Sequence, residues 1–246
     1  MEGPEVRLER MTWQEIGDAI AAGKKTAIIV AGSSEQHGPH LPEGTDAMIG
    51  EGLAVRLAWK LGDALVAPVI RPGCSDHHLA FPGTISISAD ALLGLLDAYV
   101  TSLRLHGFER FIIFSSHGGN FPVLARMVER GLPADTVVAA NLQDFAGVML
   151  GSLHRFGRDD KTIPHADASE TGEMLVLHPD LVHMDRAEPG FTGEVDVDRV
   201  LREGLRSVTK NGVLGNPVGA TAEIGEDVIS SLVEYLAEYV SSPRSV

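Results

Sequence analysis

The chain is poor in cysteine, in positive charge and in long hydrophobic runs, and each shortage removes a class of function. A single cysteine, Cys74, in 246 residues excludes an internal disulfide framework and any thiolate-rich zinc or iron–sulfur site. Whatever chemistry takes place must use imidazole, carboxylate and backbone groups. Lys and Arg number 20 against 34 Asp and Glu, a formal charge of -14, which opposes phosphate backbones and anionic lipid surfaces. Neither nucleic acid nor a membrane is expected as a partner, and neutral or cationic substrates are favoured. The longest apolar runs, such as Thr26–Gly32 and Phe111–Phe114, are strand-sized, far short of the roughly 20 residues a bilayer span requires. The opening MEGPEVRLERMTWQ alternates charge and carries no apolar core, so no secretory signal is read there and the cytoplasm is the expected location.

What is present is an apolar content of 44%, enough for a sizeable core. Runs rich in Val and Ile alternate with stretches of helical period, the pattern of parallel strands joined by crossover helices. The fold class is α/β. Strands are read at Thr26–Gly32, Ala64–Ile70, Arg110–Ser115 and Thr136–Asn141, with helices at Thr45–Leu61, Ala89–His106 and Thr221–Val240. Segments 151–167 and 184–196 read as long polar loops. No repeat, linker or composition break divides the chain, so residues 1–246 are expected to form one domain.

In an open parallel sheet ligands bind beyond the carboxyl ends of the strands. The first strand runs into Ser33-Ser34-Glu35-Gln36-His37. In an extended segment Glu35 and His37, two apart, face one side while Gln36 points away. Asp46 follows across a Gly/Pro loop, and the third strand ends in Ser115-Ser116-His117-Gly118-Gly119-Asn120. Glu35, His37, Asp46 and His117 together suit a borderline divalent ion such as zinc, manganese or iron, and Asn120 is placed to cap the helix that follows. His165 and Glu170 straddle a loop-to-helix junction. His165 is the candidate general acid/base, its ordinary pKa lying nearest neutrality; a purely capping segment, with Asp167 or Ser169 at the helix start, suits the same pattern. Ser75 and His78 follow the second strand and are candidates for substrate contact, as are Gly118 and Asp167. Cys74 is expected to be a packed side chain.

With those motifs in view, the sequence resembles the creatininase (creatinine amidohydrolase) family. The matching stretches are GSSEQHGPHLPEGTD at 32–46, GCSDHHLAFPGTIS at 73–86, SSHGGN at 115–120, HADASETGEM at 165–174 and GVLGNPVGATAE at 212–223. The resemblance implies a three-layer α/β sandwich with a mostly parallel central sheet flanked by helices. It also implies a dinuclear metal centre, metal-dependent hydrolysis of a C–N bond in a small molecule, and a homo-oligomer, commonly a hexamer. Carried across residue by residue, it assigns Glu35 and His117 to one metal, His37 to the other, Asp46 as the bridge and His165 as the catalytic histidine, with Ser75 in contact with substrate.

Two departures stand out. Creatininases have a Tyr-Glu pair after the histidine of the second metal motif, whose Glu completes the second metal; here Gly118 and Gly119 stand there, making Glu170 the substitute donor. They also close the site with tryptophan in the loop before the catalytic histidine, whereas the only tryptophans here are Trp13 and Trp59. Creatinine is therefore not the expected substrate. The expectation is a metal-dependent amidohydrolase acting on another small polar, cyclic amide or a formamide. The alternatives are ring-opening of an oxidised cyclitol, sugar or lactone, or short-peptide cleavage, on the same centre. From another class comes a non-catalytic metal-containing binding protein.

Overall fold

The computed structural model describes residues 3–159 and 164–242; the stretch 160–163 of the expected polar loop lies outside them. In chain order the elements are α1 (Trp13–Ala21), β1 (Thr26–Ala31), α2 (Thr45–Leu61), β2 (Ala64–Val66), α3 (Ala89–Leu105), β3 (Arg110–Ser115), α4 (Phe121–Glu129), β4 (Thr136–Val138), α5 (Leu142–Arg155), α6 (Ala168–Leu177), α7 (Val197–Glu203) and α8 (Ala222–Ser241). The four strands form one parallel sheet in the order β2-β1-β3-β4. β1 and β3 lie at its centre, and β1 is buried along its whole length, which is why TAIIVA and RFIIFS read as continuous apolar runs rather than alternating ones.

The order of the strands fixes where the chain reverses. From β1 the chain crosses by α2 outward to β2; it then returns by α3 past β1 to β3 and continues by α4 to β4. Right-handed crossovers place α2 on one face and α3 and α4 on the other. The contacts agree: α3 packs on α4, while α2, α5, α6 and α8 pack on one another. Helices thus cover both faces of the sheet. The connections leaving β1 and β3 diverge, which opens a crevice between the carboxyl ends of the two central strands.

Several boundaries differ from the sequence expectation for identifiable reasons. β2 stops at Val66 because Pro68 has no N–H to offer a ladder, although Ile70 N–H still reaches the Val30 carbonyl at 3.0 Å. β4 stops at Val138, and Asn141 instead caps α5, its side chain accepting from Gln143 N–H at 3.0 Å. Residues 151–155, expected as loop, complete α5. Its buried stripe of Phe145, Ala146, Met149 and Leu153 outweighs the polar Gly-Ser in its last turns.

α6 crosses α8 at a backbone contact. A Cβ on Gly225 would meet the carbonyl carbon of Gly172 at 2.0 Å, and one on Gly172 would meet Gly225 N at 2.7 Å. No side chain can move aside to make room, so Gly225→Ala should cost about 3 kcal/mol or more. Gly94 on α3 is exposed with open space around it, and Gly94→Ala should instead add about 0.5–1 kcal/mol through helix propensity. Urea unfolding of the two variants beside the wild type checks both signs; equal behaviour would refute the crossing as the cause.

Candidate functional site

Glu35 and His37 follow β1, Asp46 lies in the first turn of α2, and His117 follows β3, so the crevice collects them. All are at most 3% exposed, and Glu170 and His165 at most 9%. Asp46 divides its oxygens between two imidazoles: Oδ1 lies 3.3 Å from His37 Nε2, and Oδ2 lies 3.3 Å from His117 Nδ1. Glu35 Oε2 stands 3.1 Å from the same His117 nitrogen, and Glu170 Oε2 3.7 Å from the same His37 nitrogen. Two donor groups result, Glu35 with Asp46 and His117, and His37 with His165 and Glu170, each with its ligand atoms within 4.8 Å of one another. Glu35, His78 and His165 form a third such trio.

The fit to metal is visible in what these atoms leave undone. His37 Nε2 and Asp46 Oδ2 are buried and make no hydrogen bond; their short approaches lack the alignment of one. Such orphaned atoms are rare and costly unless something else satisfies them. The far side of each ring is already committed. His37 Nδ1 donates to the Glu35 carbonyl at 3.0 Å, and His117 Nε2 donates to the Cys74 carbonyl at 3.2 Å. These bonds turn the opposite nitrogens toward the carboxylates, which is how metal-binding imidazoles are oriented. Imidazole and carboxylate without thiolate is a donor set for a divalent ion such as zinc or manganese.

The electrostatics are those of an acidic site compressed by burial. Desolvation opposes the charge on Glu35, but His117 beside it overcomes that and holds the carboxyl well below its usual range. Burial likewise opposes charge on His37, yet the Asp46 carboxylate beside it raises the ring to about 10; Glu35 does the same for His117. Burial pushes Glu170 up to about 8 against the pull of His37. His78 and His165 go the other way, burial driving both well below the ordinary histidine value, so both rings are neutral at pH 7.

The junction to α6 is built around one strained residue. Ala166 has φ 53, a left-handed conformation rare without glycine. The turn it makes directs its own N–H to Glu170 Oε2 at 2.5 Å and brings His165 and Glu170 into one cleft. His165 is pinned from the other side by paired backbone bonds with Leu214, at 3.3 and 2.9 Å, contributed by the GVLGNPVGA segment.

The family described as creatinine amidohydrolase (Creatininase) matches residues 9–240 of the chain. The chain belongs to the creatininase family. It is 34% identical over 217 residues to a mycofactocin precursor peptide peptidase of Mycobacterium ulcerans, covering 84% of this chain and 81% of that one. It is 28% identical over 251 residues to the creatinine amidohydrolase of Pseudomonas putida, covering 94% of each. A solved creatininase variant of Zn-Zn type superposes with a TM-score of 0.75 at 26% identity, covering 97% of this chain and 98% of that one.

Against that family background the Gly-Gly departure acquires a steric reason. A Cβ on Gly119 would sit 2.2 Å from the Cys74 carbonyl oxygen and 2.5 Å from His117 Nε2. The glycine lets the 73–86 loop close on His117, and the carboxylate nearest His37, apart from Asp46, comes from Glu170 instead. Neither tryptophan lines the cavity. Its polar floor includes Glu35, Asp46, His78, His117 and His165, and Gly118 lies at its rim; the opposite wall is apolar, made by Val195, Val197, Val200, Leu201, Leu205 and Leu214. That wall is a separate small cluster in which α7 packs beside Phe81 and Phe191.

Two residues expected to touch substrate are placed elsewhere. Ser75 is fully buried behind His117, its hydroxyl 2.6 Å from Ser33 Oγ and 3.2 Å from His117 Nε2. Asp167 caps α6, accepting from Ser169 N–H at 2.9 Å and Glu170 N–H at 3.4 Å. Asn120 caps nothing. Its amide donates to the Ala31 and Gly32 carbonyls and its oxygen accepts from Cys74 N–H, tying the β1 exit to the neighbouring loop. Cys74 is a half-buried thiol pushed up by burial, consistent with packing. Gln36, expected to point away, enters the site and contacts both His78 and His165.

Glu173 carried no expectation, and among the described residues it is the one carboxyl with both oxygens buried and without a hydrogen bond. One turn beyond Glu170, it is fully buried with neither carboxylate oxygen hydrogen-bonded, and burial raises its pKa well above the ordinary value. A carboxyl whose folded pKa is raised destabilises the fold as pH climbs from the unfolded value of 4.5 toward the folded one, and leaves it unpenalised below. In metal-stripped protein, Glu173→Gln should therefore raise the melting temperature at pH 8 and change it little at pH 5. A pH-independent difference would show that the charge is not the cause.

Proposed function

We propose that the protein is a metal-dependent hydrolase that cleaves the C–N bond of a small amide or formamide other than creatinine. The observation that carries this reading is the division of one buried carboxylate, Asp46, between His37 and His117, each with a further carboxylate at its side. Glu35, Asp46 and His117 would hold one divalent ion, and His37, Asp46 and Glu170 the second, with zinc, manganese and iron all compatible with the donors. When bound, such ions polarise a carbonyl and bring the pKa of water toward neutrality. The remaining work falls to the chain. His165, neutral and buried beside both groups, is positioned to carry a proton to the departing nitrogen. His78 and the Gly118 backbone border the cavity where the substrate would lie. The apolar wall opposite excludes water and receives a hydrocarbon part of the substrate.

The apolar wall also favours a second reading, cleavage of a short peptide, since aliphatic side chains would fill the same cavity of about 130 Å³. A homo-oligomer, hexameric in keeping with the resemblance, accompanies either reading. Leu79 and Ile85, 56% and 59% exposed on the loop beside the site, give it an apolar surface to bury.

Metal analysis combined with a turnover screen tests the function. Wild type should hold about two equivalents per chain, His117→Ala and Glu170→Gln about one each, and chelation should abolish hydrolysis of amides, formamides or dipeptides while leaving the fold intact. Full metal content with no turnover on any of them would favour a non-catalytic binding protein. The protonation states add a separate expectation. With His37 raised to about 10 and Glu170 to about 8, both carry protons at pH 7 in the metal-free protein and must release them to bind an ion. Metal affinity should rise from pH 6 to pH 9, and titration calorimetry in buffers of different ionisation enthalpy should register proton release; a flat affinity over that range would contradict the assignment.

A further inference from the structure

Gln36 touches two histidines at once, and the orientation of its amide is fixed by what surrounds it. It is 4% exposed. Its Oε1 accepts from Gly38 N–H at 2.9 Å, which identifies the oxygen end without ambiguity, because a backbone N–H can only donate. The opposite end has two hydrogens. One goes to the Gly212 carbonyl at 3.1 Å, an acceptor only. The fit there is close: a Cβ on Gly212, whose φ is +84, would lie 1.8 Å from Gln36 Oε1.

The second hydrogen has two possible destinations, His78 Nδ1 at 3.0 Å and His165 Nε2 at 2.9 Å. The main chain decides between them. His165 Nε2 also lies 3.0 Å from the backbone carbonyl of Gln36 itself, which can only accept, so that ring nitrogen carries a hydrogen and cannot receive another. The amide hydrogen therefore goes to His78 Nδ1.

We infer that Gln36 is a positioning residue that holds both imidazoles in the Nε2–H form, His78 through its side-chain amide and His165 through its backbone carbonyl. Because the rings face the site with opposite edges, the same tautomer gives them opposite roles. His78 presents its Nε2–H to Glu35 Oε1, 3.3 Å away. His165 presents the lone pair of Nδ1 on the side of Glu35, whose Oε1 lies 3.9 Å away. Consequently His78 is a hydrogen-bond donor that steadies Glu35 and is not a metal ligand, although Glu35, His78 and His165 lie within ligand distance of one another. His165 is left as the acceptor that proton transfer requires. The catalytic use of this arrangement rests on the hydrolase reading; the tautomers do not.

The split between side chain and backbone supplies an internal control. Gln36→Glu keeps the shape and the acceptor toward Gly38 but replaces the amide donor with an oxygen that can only accept. It should turn His78 to the Nδ1–H form and leave His165 unchanged. Gln36→Met, without donor or acceptor, should remove the preference at His78 only. Long-range 1H–15N correlation of the histidine rings in metal-free protein reads each tautomer directly. Wild type with both rings Nε2–H and the His78 change in Gln36→Glu would support the inference. A wild-type His165 that is Nδ1–H would mean that the amide hydrogen goes there instead, and a His78 signal indifferent to both variants would equally overturn the assignment.

The loaded enzyme gives a second, separable readout. Glu35 loses its donor in Gln36→Glu and in His78→Ala alike, so metal affinity or kcat/KM should fall roughly 10–100-fold in both, while at saturating metal His78→Ala should keep the wild-type number of equivalents. Loss of one equivalent in His78→Ala would make that ring a ligand and refute the inference. Should the wild type bind no metal, the hydrolase reading fails, and the ring tautomers alone decide the role of Gln36.

Discussion

The burial of Asp46 is the constraint on which the rest of this site depends. A carboxylate 2% exposed is costly to hold charged unless opposite charge lies against it, and the chain answers by placing an imidazole at each oxygen. Those two rings come from opposite sides of the topological reversal, His37 from the exit of β1 and His117 from the exit of β3. Only where the two connections diverge can both reach one carboxylate arriving on α2. The strand order β2-β1-β3-β4 is therefore more than a scaffold, since the divergence creates the space and the carboxylate occupies it.

Around that centre lies a layer of residues whose function is to turn rings. Cys74 contributes only its carbonyl, Glu35 its carbonyl as well as its carboxylate, and Gln36 both its carbonyl and its amide. Backbone acceptors are well suited to the task, because a carbonyl cannot change its protonation when the site does. Glycine makes them available. Gly119 admits the Cys74 carbonyl to His117, and Gly212 admits its own carbonyl to the Gln36 amide. A substitution at either position would displace a ring without altering any group that takes part in chemistry.

The sheet and the helix that delivers Asp46 were legible in the sequence because their signals are local. β3 spans Arg110–Ser115 and α2 Thr45–Leu61, as the apolar runs and helical spacing predict. Side-chain direction after Ser34 was not legible. The alternation that sends Gln36 outward assumes an extended strand, whereas Gly38 has φ +65 and His37 bridges to both Pro39 and Leu41, so the segment coils and Gln36 faces inward. Depth was likewise hidden. Ser75 and Asp167 belong to the right segments, but which residue of a loop lines a cavity and which lies behind it depends on packing from elements distant in sequence. For Glu173 the helix register is the difficulty, since a Glu three positions after a candidate ligand reads as an exposed helix residue until α5 and α8 close over it.

The same reasoning bears on how this member differs from creatininase itself. The resemblance places a carboxylate after the histidine of the SSHGGN segment, and here Gly119 cannot accept a side chain because the Cys74 carbonyl of the 73–86 loop lies against it. A carboxyl group reaches His37 from α6 instead, where the left-handed turn at Ala166 and the Gly172–Gly225 crossing place Glu170 Oε2 3.7 Å from His37 Nε2. Gly118, by contrast, lines the cavity with open space where a side chain would stand. Across that space stands an aliphatic wall rather than tryptophan. A pocket closed by aromatic planes selects flat rings; one bounded by Val and Leu on a short helix accepts a bulkier, less planar group. The residues that hold the centre therefore argue for conserved hydrolytic chemistry, and the residues facing it argue for a different substrate.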